Sequence, residues 1–288
     1  NHCSYCIIPT LRGGFRSRTP ASLITEAEGL VEKGIRELIV IAQDTTRYGQ
    51  DFNGKVDLPM LLKELCGIPD LKWIRLMYCY PDRISEELIE RIAGEEKICN
   101  YLDIPIQHIH PGLLHKMNRI SDDKGIRELL ASLRERIPGL ILRTSLIVGF
   151  PGEGDKEFRE LVDFVEEGHF NHIGVFPYSR EEGTRAAEFP GQVEEPVKEE
   201  RRDRLMSVQK KVSGRLMRSR VGQRCEVLVE GKETAGLYYG RSYGEAPEVD
   251  GLVYVRSPHP LSVGDFVDTV ITKAYDYDLL GEVYESRK

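Results

Sequence analysis

Five short apolar, β-rich runs recur along this chain, at 38–42, 73–78, 101–106, 140–148 and 172–176, with amphipathic helical stretches before and between them. The stretch 22–34 carries Leu23, Ala27, Leu30 and Val31 on one face, and 58–65 and 85–93 follow. Ser85 stands before Glu86 and Glu87, a helix N-terminal cap. In 121–137, Ile126, Leu129, Leu130, Leu133 and Ile137 keep a helical period up to Pro138-Gly139, and 155–168 repeats it with Phe158, Leu161, Val162 and Val165. Strands roughly 30–40 residues apart with helices between them predict a parallel sheet of right-handed βαβ units. Such a sheet binds its ligands at the carboxyl ends of its strands, so the element order is also a map of candidate site residues.

Two later regions read differently. Residues 194–220 hold nine Lys/Arg against five Asp/Glu and one apolar stripe from Leu205 to Met217, which predicts a connecting helix with a solvated charged face. From Val221 onward short strands alternate with turns (225–229, 251–255, 264–271, 281–284), and some 65 residues of this kind predict a small five-stranded, OB-like all-β barrel. Three parts follow: a core at 1–193, a connecting helix at 194–220 and a barrel at 221–288. With 288 residues, 40% of them hydrophobic and 30% charged, the chain is long enough for a full core in each of two domains. No apolar run approaches the roughly 18–20 residues that a membrane-spanning helix needs. The net charge of −7 argues against a broad nucleic-acid-binding face.

Of six cysteines, Cys66, Cys79, Cys99 and Cys225 lie in apolar stretches and read as small buried hydrophobes in a reducing cytoplasm. Cys3 and Cys6 differ. Two thiols three residues apart around Tyr5 suit zinc, an iron–sulfur cluster or a redox dithiol, and the spacing alone leaves all three open. Basic Arg12, Arg16 and Arg18 follow, without an acid before Glu26. Other polar groups gather at the predicted strand ends: Gln43 and Asp44 after the first, Gln107 and His108 after the third, Tyr178 after the fifth. On the fourth, Arg143 and Ser145 lie two apart and so share a face, ahead of the turn Gly149-Phe-Pro-Gly152-Glu153.

The run from Asn1-His-Cys3-Ser-Tyr-Cys6 through Arg12-Gly-Gly-Phe-Arg-Ser-Arg18 into these strand–helix units resembles the radical S-adenosylmethionine (SAM) methylthiotransferases. Their cluster motif is CxxxCxxC. The resemblance makes Cys3 and Cys6 its second and third cysteines, places the first upstream of Asn1, and makes the chain a fragment. It implies a partial (β/α)6 radical SAM barrel followed by a TRAM domain. It also implies a [4Fe–4S] cluster whose open iron binds SAM, reductive cleavage of SAM to a 5′-deoxyadenosyl radical, and a second [4Fe–4S] cluster in an N-terminal domain that delivers sulfur. Tyr5, Gln43, Asp44, Arg143, Ser145, Gly149 and Tyr178 become SAM-side residues. Gln43-Asp44 stands where many radical SAM enzymes have Gly-Gly-Glu. Arg12, Gln107 and His108 are substrate-side candidates, and without a cluster the cysteine loop is expected to be disordered.

Two substrates occur in this family, a tRNA adenosine and a ribosomal-protein aspartate. Residues 222–288 contain 12 Asp/Glu and seven Lys/Arg, and an acidic barrel suits a basic ribosomal small-subunit protein better than RNA. The strings Trp73-Ile-Arg-Leu-Met-Tyr-Cys-Tyr-Pro81, Ile104-Pro-Ile-Gln-His108 and 240–251 resemble the RimO-type, ribosomal-protein branch. The sequence therefore predicts a cytoplasmic transferase served by an electron donor. The alternatives are a tRNA adenosine methylthiotransferase, or a fragment that only docks substrate.

Overall fold

The computed structural model describes residues 2–52, 54 and 56–285. Helices α1 (Ile8–Arg12) and α2 (Pro20–Glu32) precede strand β1 (Glu37–Val40). Then come α3 (Leu58–Cys66), β2 (Trp73–Leu76), α4 (Glu86–Gly94), β3 (Ile98–Asp103), α5 (Pro111–Lys116), α6 (Asp123–Arg136), β4 (Ile141–Val148), α7 (Asp155–Glu166) and β5 (His172–Pro177). The strands form one parallel sheet in the order β1-β2-β3-β4-β5. Sequential strand order, with α2 on α3, α3 on α4 and α4 on α6, is singly wound: the helices cover one face and leave the other as an inner wall. The cap anticipated at Ser85 forms, its Oγ accepting from the Leu88 amide at 3.2 Å. The short helices α1 and α5 were not anticipated, because five or six residues show no period.

Strand parity sorts the side chains. Leu38, Val40, Ile74, Leu76, Leu102, Leu142, Leu146 and Val175 pack into the large core under the helices. Their neighbours line the inner wall: Glu37, Trp73, Arg75, Cys99, Tyr101, Asp103, Ile141, Arg143 and His172 in its lower part, Ser145 higher up.

Helix α8 (Glu195–Arg218) packs along β5 and α7 and covers that edge of the sheet. Its charge is only partly solvated. Arg201 is buried and donates to the carboxylates of Glu153 and Asp155, each at 2.9 Å, and buried Lys198 donates to the Tyr178 carbonyl at 2.9 Å. Beyond it β6 (Arg224–Thr234), β7 (Leu237–Arg241), β8 (Val253–Arg256), β9 (Phe266–Ala274) and β10 (Leu279–Val283) close in the order β10-β8-β7-β6-β9. Met217 of α8 reaches into the core of this barrel with Val227, Val253, Val255, Ile271 and Leu279. Gly240 is required on β7, because a Cβ there would lie 1.9 Å from the Leu228 carbonyl oxygen.

The loop 242–250 leaves the small barrel and fills the lower part of the sheet's inner wall. Ala246 sits among Trp73, Met77, Cys99, Tyr101 and Ile141. Around it lies a buried ionic network. Arg75, fully buried, donates to Glu37 at 2.9 Å and to the Tyr243 carbonyl at 2.6 Å, with its guanidinium over the Tyr101 ring. Arg241 donates to Glu37 at 2.6 Å and Glu230 at 2.8 Å, and Arg220 pairs with buried Glu245. Tyr101 donates to Asp250 at 2.7 Å. Ions taken out of water need such complete pairing, and removing one partner is costly. The two domains thus share a core.

Candidate active site

Above this plug, at the carboxyl ends of the strands, lies an open cavity of about 700 Å³. Cys3, Tyr5 and Cys6 form one side; Gln43 and Asp44 (after β1), Tyr78 and Tyr80 (after β2), Gln107 (after β3) and Ser145 (on β4) form the others, and Arg12 and Arg16 stand at the rim. The apolar side chains of Ile41, Tyr78 and Phe176 are left exposed at these same strand ends.

The cysteine loop has anchors of its own, against the expectation of disorder. The Ser4 amide donates to the Met117 carbonyl (3.0 Å), Ala186 to the Ser4 carbonyl (2.9 Å), and Asn118 Nδ2 to the His2 carbonyl (2.7 Å). The Tyr5 ring meets Phe150 edge-on at 6.5 Å. Cys3 is buried, with its Sγ 3.2 Å from Tyr80 Oη, whereas Cys6 is half-buried. Neither Tyr80 nor Arg119, the other residue beside Cys3, stood out in the sequence. Only the turn after α5, where Asn118 adopts φ 59°, brings Arg119 back to the loop.

Two cavity residues hold left-handed backbones that non-glycine residues rarely adopt, Tyr78 (φ 57°) and Gln107 (φ 70°). Asp103 accepts from the Tyr78 amide at 3.0 Å, and Gln107 continues the sheet by donating to the Ser145 carbonyl at 3.0 Å. Burial raises the Asp103 carboxyl against the opposing pull of Arg143. Asp44 is buried, accepts from Thr46 and lies 3.7 Å from Arg83.

Four of the sequence candidates stand elsewhere. Arg143 faces inward one layer too deep to line the cavity: it donates to Asp103 at 2.9 Å and lies 3.5 Å from Asp250 of the plug loop. His108 is fully buried; its Nδ1 accepts from the His110 amide (3.0 Å) and its Nε2 faces Glu153 at 3.4 Å. Gly149 serves packing, because a Cβ there would meet Lys198 Cγ at 2.3 Å, and its amide donates to Glu153 at 2.9 Å. The turn 149–153 thus fastens α8 to the sheet. Tyr178 is buried with Leu113, Met117, Phe150 and Ala186, behind Tyr5. Arg18, from the basic loop, pairs with Glu26 away from the cavity.

Of the remaining cysteines, burial raises the Cys66 and Cys225 thiols to about 11, Cys99 to about 12 and Cys79 further still, as expected of inert thiols. Among the described residues no three His, Cys, Asp or Glu side chains are grouped to hold a metal ion. Cys3 and Cys6 facing one cavity fit two corners of a thiolate-bound cluster. The CxxxCxxC motif would place its first cysteine four residues before Cys3.

A cysteine pair at the mouth of a singly wound parallel sheet, followed by a five-stranded barrel, defines a class. Residues 1–165 match the radical SAM superfamily and residues 221–283 match the TRAM domain. The chain belongs to the radical SAM superfamily, and membership implies a [4Fe–4S] cluster and SAM. Within it, the chain is 52% identical over 282 residues to "Ribosomal protein uS12 methylthiotransferase RimO" of Thermoanaerobacter sp. (strain X514), covering 98% of this chain and 64% of that protein. The protein of the same name from Trichlorobacter lovleyi is 54% identical over 287 residues, 99% of this chain and 64% of its own length. The chain therefore spans a little under two thirds of these relatives.

Among solved structures, coproporphyrinogen III oxidase (HemN) of Escherichia coli shares the fold with TM-score 0.53 at 18% identity, covering 74% of this chain and 50% of that one. The radical SAM methyltransferase TsrM of Kitasatospora setae, solved with cobalamin and a [4Fe–4S] cluster, gives 0.50 at 20% identity over 83% of this chain and 39% of that one. Among the described residues no helix is long and apolar enough to cross a membrane.

Proposed function

We propose that this chain is the radical SAM core and TRAM domain of a cytoplasmic methylthiotransferase that adds a methylthio group to the β-carbon of an aspartate in ribosomal protein uS12. The observation that carries the reading is identity above 50% to two such enzymes across nearly the whole chain, with Cys3 and Cys6 facing the cavity. Cys3, Cys6 and a cysteine upstream of Asn1 hold the [4Fe–4S] cluster. Bound there, the cluster supplies the electron that cleaves SAM.

This chain's residues hold and shield the reactants. Asp44 accepts a charge-assisted bond from the methionyl ammonium, with Gln43 beside it. Ser145 and Gln107 donate to SAM or substrate oxygens, Arg12 meets the substrate carboxylate at the rim, and Tyr78 and Phe176 keep water from the reacting C–H. A domain preceding this chain contributes the second [4Fe–4S] cluster and the sulfur, and a one-electron donor serves both.

The barrel surface favours a basic protein over tRNA. Glu245 and Asp250 are spent in the plug, yet Glu233, Glu248, Asp265, Asp268, Asp276, Glu282 and Glu285 remain exposed against Arg224, Lys232, Arg256 and Lys273. Phosphates would find little to neutralise them there. The test is anaerobic reconstitution of the full-length protein with iron, sulfide, SAM and reductant, offered uS12 or unmodified tRNA. A methylthio mass gain on an aspartate of uS12 is expected. The same gain on tRNA overturns the reading.

A further inference from the structure

We propose that Tyr80 and Arg119 are positioning residues for the Cys3 sulfur, and that they raise the reduction potential of the centre this sulfur helps to hold. The inference rests on the cluster reading above. Three contacts converge on one buried atom. Tyr80 Oη lies 3.2 Å from Cys3 Sγ, Arg119 Nη1 lies 4.0 Å from it, and the guanidinium sits 4.0 Å over the Tyr80 ring. Arg119 and Cys3 are 7% and 9% exposed, so the charge acts across little water.

Arg119 is held in place independently of the sulfur. Its Nη2 donates to the Pro105 carbonyl, and its amide donates to the Leu114 carbonyl at 2.9 Å. Among the described residues no carboxylate forms an ion pair with it. The acid that senses it, Asp82, accepts from Ser121. The guanidinium is therefore fixed, and its charge is directed to the sulfur and the ring. The two cysteines are treated unequally, since among the described residues no such donor stands on Cys6.

One electron from an external donor makes the thiolate-bound centre one unit more negative. A hydrogen-bond donor and a fixed cation beside a ligating sulfur stabilise that reduced form more than the oxidised one. Hydrogen bonds to the sulfurs, together with net charge and burial, set such potentials. Removing either group therefore moves the potential down, whereas a purely packing role leaves it in place.

The test is a redox titration of the reconstituted full-length protein with dithionite, following the electron paramagnetic resonance signal that Cys3→Ser/Cys6→Ser lacks, for wild type, Tyr80→Phe, Arg119→Met and Arg119→Lys. With iron content equal to wild type, a downward shift is expected for Tyr80→Phe, a larger one for Arg119→Met, and partial recovery for Arg119→Lys. If Arg119→Met loses iron, the near-isosteric Tyr80→Phe decides alone. Unchanged potentials at full iron content overturn the inference. A wild-type protein that holds no more iron than its Cys3→Ser/Cys6→Ser variant overturns the reading beneath it, and the two failures are told apart by this iron comparison.

Discussion

Glu245 offers a sharp test of whether ionic chemistry holds the plug loop in place. Its carboxylate is fully buried in the plug loop, paired with Arg220, and accepts from the Ser242 amide at 2.9 Å. Burial alone would raise its pKa; the Arg220 charge, the Ser242 hydrogen bonds and nearby His172 outweigh it and bring it down to about 2. The unfolded chain titrates near the ordinary glutamate value, so the folded state binds the proton less tightly. The stabilisation is full above pH ~4.5 and is lost as the pH falls toward 2. A depression of about 2.5 units corresponds to ~3 kcal/mol at neutral pH, of which about 2 kcal/mol is gone by pH 3. Glu245→Gln removes this titration and leaves the Arg220 guanidinium buried without its counter-charge, a loss of about 3 kcal/mol at pH 7. Urea unfolding at pH 7, 5 and 3, read by tryptophan fluorescence, measures both effects, because the single Trp73 packs 4.9 Å from Phe266 across the domain junction. The gap between wild type and variant should be widest at pH 7 and shrink toward pH 3. A gap that is constant with pH would refute the assignment of the stabilisation to this carboxylate.

Gly149→Ala should destabilise the chain by about 1–3 kcal/mol, since it places a Cβ against Lys198 at a left-handed backbone position; thermal unfolding checks this. Lys72→Ala, which breaks the exposed pair with Glu226, should change stability by less than about 1 kcal/mol and serves as a control at the same interface. Asp103→Asn should weaken SAM binding by the full-length protein while leaving the small barrel folded, because the carboxylate holds the Tyr78 amide at the cavity wall. Isothermal titration with SAM measures it, and unaltered affinity would separate Tyr78 from the cofactor site. Exchanging Cys3 and Cys6 for serine should remove one cluster's iron from the full-length protein with little change in unfolding midpoint, since the loop keeps its backbone bonds.

The sheet was legible because its strands alternate between a helix-covered face and an inner wall, and because the helices have strong periods and caps. The cavity residues Gln43, Asp44, Gln107 and Ser145 were legible for a related reason: a parallel sheet presents its strand ends to ligand. What the sequence hid was depth along the wall. Arg143 and Ser145 share a face, but two residues of rise separate a layer held by the plug from a layer open to the cavity. His108 and Gly149 look like site residues in a linear reading, yet they serve the junction with α8 through Glu153, which meets His108 and Arg201 only on folding. The burial of the plug carries no signal in one dimension, because an Arg-Ser-Tyr-Gly-Glu turn reads as surface until it meets its counter-ions on β1 and β2.

The plug arrives late. Arg75 meets the Tyr243 carbonyl 168 positions further along the chain, and Glu37 meets Arg241 204 positions on. At translation rates of about 5–20 residues per second, the Arg75 guanidinium waits on the order of 10 s before its partner loop is made. Until then Arg75 and Glu37 have only each other at a base left open to water, so the sheet is the element in need of protection during synthesis. The domain that would be removed first as an accessory is the one that completes the interior of the other.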